Sequence, residues 1–161
     1  MKLQIFIYEC ARCGHRLEAL SLPGGGYGIF LLRTRSSGEL AYLDAFADAV
    51  FSEAESILLE APTFANKDSF ERARLLHALF GLTCDRAASG EQYQVAAHPW
   101  CPKCGSSEMN WAASEPPRLE EVNLAPVSHD YWSSLPSAAK RALLKTALSG
   151  LPSDGRIQAP S

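Results

Sequence analysis

The sequence contains no apolar run approaching the roughly 20 residues that a membrane-spanning helix requires. Its first apolar stretch, Leu3 to Ile7, is shorter than the core of a secretion signal and lacks a small-residue cleavage pattern, so no leader is expected. No Gly-Lys-Ser/Thr follows the glycine-rich residues 24–28, which removes a phosphate loop and leaves a turn. Neither sign of charge dominates: 15 Lys and Arg stand against 18 Asp and Glu, and a formal net charge of −3 disfavours a polyanionic partner globally. Cysteine is scarce as well. Five residues, one of them the isolated Cys84, do not make a disulfide framework, and the expectation is a reduced, cytoplasmic protein.

What is present is an ordinary globular composition, 47% hydrophobic and 20% charged over 161 residues, enough for one domain with a real core. Four of the cysteines fall in two matching knuckles, Cys10-Ala11-Arg12-Cys13-Gly14 and Cys101-Pro102-Lys103-Cys104-Gly105. Two thiolates separated by two residues can point at one ion, and the following glycine lets backbone amides turn toward the sulfurs. Each knuckle supplies half of a tetrahedral site, so the fold is expected to bring the two together around one metal.

The hydrophobic pattern places these knuckles between strands. Residues 2–9 read as a strand leading into the first knuckle and 17–22 as one leaving it. Residues 92–97 read as the strand leading into the second knuckle and 108–112 as the one leaving it. Between them, Tyr27 to Arg35 and Glu39 to Tyr42 form an expected hairpin. The period then changes to 3.6. Leu43, Phe46, Ala47, Val50, Ala54, Ile57 and Leu58 predict an amphipathic helix over 43–60, ended by Pro62. Asp68 caps a second helix, with Ala73, Leu76, Leu79 and Phe80 as its apolar arc before Gly81. After the proline-bounded segment 116–126, a helix over 137–149 shows Ala139, Ala142, Leu143 and Thr146 on one side, and Gly150 is placed for a left-handed stop.

With its two Cys-x-x-Cys-Gly knuckles between strands, the chain resembles the zinc ribbon family over about residues 1–22 and 92–112. The resemblance implies Cys10, Cys13, Cys101 and Cys104 as the four ligands of a structural Zn²⁺. The departure is the long link, residues 14–100, which simple ribbons do not have. The predicted class is therefore α+β: a zinc-ribbon-type antiparallel sheet split over 1–22 and 92–112, a β-hairpin and two-helix insertion over 23–91, a linker and C-terminal helix over 113–152, and a tail over 153–161. Rubredoxin-like proteins hold a redox iron with similar pairs, which makes Fe the less favoured ion.

The remaining chemistry is thin. Cys84 with His77 or His98 lacks an acyl-transfer motif, His77 reads as a packed core residue, and His129 and Asp130 are neighbours that do not face each other. Arg12, His15, Arg16 and Lys103 cluster at the knuckles, with Arg33 and Arg35 extending the patch along one strand face. They offset the −2 of a Zn(Cys)₄ centre, which takes the metal-bound chain to about −5. These features favour a non-enzymatic protein-binding module of adaptor or inhibitor/immunity type, engaging a basic protein partner through Asp44, Asp48 and Glu55 on one helix face. A nucleic-acid-associated regulator using the ribbon tip and a rubredoxin-like electron carrier are the alternatives, and no membrane role is expected.

Overall fold

The computed structural model describes residues 1–24 and 27–151. The predicted tail, and two of the glycines in the 24–28 run, lie outside the described residues. The class is α+β, with two antiparallel sheets and a helical layer ending in a C-terminal helix.

The first sheet is built on β1 (Lys2–Cys10), whose β-branched and aromatic residues suit a central strand. On one edge it pairs with β2 (Arg16–Ser21), in a register that sets Tyr8 opposite Leu17. Its other edge is shared. β6 (Met109–Ala113) takes residues 6–10 and β7 (Leu119–Glu121) takes residues 2–4. β7 lies in the segment that shows no period in sequence, and three exposed residues give none to see.

The second sheet has the order β4-β3-β5, with β3 (Ile29–Arg33) at its centre between β4 (Leu40–Asp44) and β5 (Gln94–Val95). The expected hairpin is present, in the register Arg33 to Leu40. The strand expected to lead the second knuckle into the ribbon does not join it. Only Gln94 and Val95 are extended, and they pair with Arg33 and Leu32. Glu39 and Glu91 hold this hairpin's turn. The N–H groups of Ala88 and Ser89 donate to Glu39, and those of Ser36 and Ser37 donate to Glu91.

The helix read over 43–60 begins later, as α1 (Ala49–Leu59), because Leu43 and Asp44 belong to β4. Asp44 Oδ1 accepts the N–H groups of Phe46 and Ala47, closing a turn, and Asp48 then caps the helix through the Phe51 N–H. Asp44, Asp48 and Glu55 therefore do not share one helix face. Pro62 starts a single turn, α2 (Pro62–Ala65), which buries Phe64 completely. α3 (Ser69–Phe80) is capped by Asp68 as read, but its buried arc contains Leu75 in place of the exposed Ala73.

A 3-10 turn, Gly81–Thr83, continues α3. Gly81 has φ −52°, so its role is space: a Cβ there would lie 2.1 Å from the Tyr93 carbonyl oxygen. α4 (Asp130–Ser134) and α5 (Ser137–Gly150) complete the layer. Gly150 is helical, not a left-handed stop. In α5 the fully buried residue is Leu144, with Leu143, Ala147 and Leu148 beside it, a side that keeps Leu143 of the arc read from sequence but leaves Ala142 and Thr146 exposed.

The main core lies between the second sheet and the helices. Leu32, Ala41 and Leu43 pack with Ala54, Leu58, Phe64, Leu76, Phe80, Trp132 and Leu144. Polar pins hold α4 and α5 on α1: the Trp132 indole and Lys140 both donate to Glu53, and Arg141 and Lys145 donate to Glu60. His129 sets α4 by contacting the Thr83 carbonyl through Nδ1 at 2.7 Å and Asp48 Oδ2 through Nε2 at 2.9 Å. The buried residues of β1, Leu3, Phe6, Tyr8 and Cys10, stand outside this cluster.

Candidate metal centre

The β1–β6 ladder brings the knuckles together. Cys10 is the last residue of β1 and sits opposite Met109, while the Ala11 N–H donates to the Glu108 carbonyl at 2.9 Å. That register places the first knuckle directly beside the strand that leaves the second. A long link is no obstacle, since loop-closure entropy grows only slowly with length.

The two knuckles have the same backbone. In the first, the Cys10 N–H donates to the His15 carbonyl at 2.9 Å and the Gly14 N–H to the Cys10 carbonyl at 2.8 Å. In the second, the Cys101 N–H donates to the Ser106 carbonyl at 2.9 Å and the Gly105 N–H to the Cys101 carbonyl at 2.8 Å. Gly14 and Gly105 both have φ 69°, a left-handed conformation in which a side chain is strained.

Four sulfurs converge between them, all within 4.8 Å of one another. Cys10 and Cys104 are 3.5 Å apart, as are Cys13 and Cys101. Tetrahedral Zn–S bonds of about 2.3 Å put sulfurs about 3.8 Å apart, a separation that lies between the two 3.5 Å pairs and the 4.8 Å bound on the whole set. At these distances no two sulfurs are bonded, and all five cysteines are free. Cys10 and Cys101 are buried, whereas Cys13 opens to the surface. Among the described residues this is the one cluster able to hold a metal.

The charge distribution is uneven. Burial pushes the Cys10 thiol up, but N–H donors from Cys13 and Arg12, with help from the neighbouring thiols, outweigh it and bring the group to about 7. Cys104 receives the Ser106 N–H, which favours its thiolate, yet burial and the three adjacent sulfurs push it up to about 12. Cys13 receives the His15 N–H and is raised by the same crowding. Four thiolates side by side repel one another, and a cation at their centre removes that penalty.

The basic residues divide. Arg12 and Lys103 are exposed on the knuckle turns, and Arg16 pairs with Glu9. Arg35 reaches the second knuckle, with Nη2 3.9 Å from where a Cβ of Gly105 would stand. Arg33 departs from the expected patch: it is 6% exposed and faces the first sheet, where its Nη2 donates to the Leu20 carbonyl. Its alternation with Leu32 gave that face, but not which layer would cover it.

The histidines lie outside the sulfur cluster. His98 lies between the rings of Tyr8 and Trp111 at tilted angles, and His77 packs on Phe30 and Phe51, where burial pulls its imidazole down. Cys84 is buried against the Phe80 carbonyl and pushed up to about 12, the state of an inert thiol. No helix among the described residues is long and apolar enough to cross a membrane.

No family model matches the chain, and no curated protein or solved structure matches it either.

Proposed function

We propose that the protein is a non-enzymatic, zinc-stabilised protein-binding module of adaptor or inhibitor type. The observation that carries the metal half of this reading is the pair of superposable knuckles with four converging sulfurs. Four thiolates close the coordination sphere, leave no open position for substrate and favour Zn²⁺ held for structure. Metal analysis of purified protein tests this, with one zinc per chain in a colourless sample as the expected result. A coloured iron tetrathiolate would favour electron transfer instead.

The binding half draws support from aromatic side chains left outside the core. Tyr27 and Phe46 lie against each other at a tilt of 38°, with ring centroids 5.3 Å apart, while remaining 91% and 71% exposed. Such aromatics are common anchors at protein interfaces. Of the acids first considered, Glu55 is exposed and free to meet a basic partner, while Asp44 and Asp48 are engaged within the chain. Tagged capture with and without nuclease tests the reading. One protein retained after nuclease, and lost with Phe46→Ala, is the expected outcome.

The second reading is nucleic-acid association through the ribbon tip, favoured by exposed Arg12 and Lys103. Burial of Arg33 and pairing of Arg16 shrink that patch. Binding that falls steeply with salt, and with Lys103→Glu, would put this reading first.

A further inference from the structure

Arg33 is a buried cation without an acid. It is 6% exposed, and its one acceptor among the described residues is the Leu20 carbonyl, 2.6 Å from Nη2. Its Nε is shut from solvent with no hydrogen-bond partner. The groups that act on it electrostatically are the Tyr8 phenol, which is held by Ser21 at 2.8 Å, and the His98 imidazole. Neither is a carboxylate. A guanidinium in that position keeps its charge, and an uncompensated buried charge is costly.

The same arginine lines a cleft of about 500 Å³ between the two sheets. Most of its wall is apolar, including Leu17, Ala19, Leu40, Trp100 and Pro102. Its acids are Glu18, which pairs with Arg118, and Glu120, from exposed β7. Arg35 stands at the end of the cleft nearest the second knuckle.

A buried cation, with Arg35 at one end of a cleft whose wall is more apolar than polar, selects for a particular chemistry. The ligand should bring a single anionic head to Arg33 and an apolar body to the Trp100 and leucine walls. We propose that this cleft binds a carboxylate carried on an apolar body. The carboxylate supplies the counter-charge that the chain itself does not. A dianionic phosphate fits less well, since the apolar part of the wall does not replace its hydration. The source is either a free organic acid or the terminal carboxylate of a peptide ending in an apolar residue. The inference is independent of the zinc-module reading.

Calorimetry on the metal-loaded full chain tests it, using N-acetylphenylalanine, its carboxamide, inorganic phosphate and a pentapeptide ending in phenylalanine. The expected result is saturable one-site binding of the acid, with the carboxamide weaker by roughly tenfold or more, and no binding of phosphate at the same concentration. Arg33→Met should abolish acid binding. Ala19→Phe, which fills the cleft and leaves the charge in place, should abolish it too, with helical signal and metal content retained. A pentapeptide tighter than the free acid identifies a chain terminus as the ligand, and equal or weaker binding identifies the small acid. Equal binding of acid and carboxamide, acid binding that survives Ala19→Phe, or no binding of either carboxylate would overturn the proposal.

Discussion

The sulfurs of Cys13 and Cys101, 88 positions apart in the chain, lie 3.5 Å from each other. Removing one of them tests the metal centre. Cys101→Ser should lose stoichiometric metal and the ordered signals of β1, β2 and β6, while the helical signal largely persists, because the main core is built elsewhere. Structural zinc contributes about 10–16 kcal/mol in finger peptides, so if these thiols hold zinc the melting of the first sheet should move far more than the helices'. Unchanged metal content and unchanged melting would remove the assignment.

Glu53 makes a second point of leverage, since it accepts the Trp132 indole at 2.7 Å and the Lys140 ammonium at 2.9 Å. Glu53→Ala leaves the N–H of a fully buried tryptophan without a partner, a loss of about 2–3 kcal/mol. Glu53→Gln keeps an acceptor and should cost about 1 kcal/mol. Denaturant melts that rank the two equally would show that the hydrogen bond to Trp132 contributes nothing.

Acid should loosen the hairpin turn. The Ser89 hydroxyl and N–H hold the Glu39 carboxyl below its usual range, and the Ser36 and Ser37 N–H groups do the same for Glu91. A depressed carboxylate stabilises the fold above its unfolded value, near pH 4.5, and that contribution disappears as pH falls through the lower folded value. Stability should therefore decline below about pH 4.5, with earlier amide exchange at Ala88 and Ser89. Glu39→Gln should flatten this decline, and an unaltered pH profile would count against it.

Two glycines should respond with opposite signs to alanine. At Gly81 the added carbon meets the Tyr93 carbonyl at 2.1 Å, a backbone contact that cannot swing away, and a loss of about 1–3 kcal/mol is expected. At Gly150 nothing lies within 4 Å and the residue is helical, so alanine should add about 0.5–1 kcal/mol. Thermal melts of the two variants check both.

The sequence is readable where a local rule and the tertiary structure agree. The knuckles, β1, β2, the hairpin and the Asp68 cap all follow from spacing and capping chemistry within a few residues. Reading failed where one pattern served two elements. Leu43 continues the 3.6 period of α1, yet it belongs to β4 and its partner is Phe30 on β3. β7 buries none of its side chains, not even Leu119, and its existence depends on the free edge of β1. The site shows the same division: the four cysteines are legible from motif alone, whereas the burial of Arg33 and the contact of His129 with Asp48 need the layers in place.

The placement of the two knuckles also has a temporal side. As the chain is synthesised from its start, Cys10 and Cys13 emerge with the β1–β2 hairpin, but Cys104 follows Cys10 by 94 residues. At ribosomal speeds of about 5–20 residues per second, the first pair waits roughly 5–20 s as a bare dithiol. During that interval it is open to oxidation or to a competing ion, and β1 has one unpaired edge. Nascent chains arrested before residue 101 should therefore label at both thiols with maleimide, whereas released, metal-loaded protein should resist. A metal bound at this site would therefore be captured only after both sheets and the helices between the knuckles have been made.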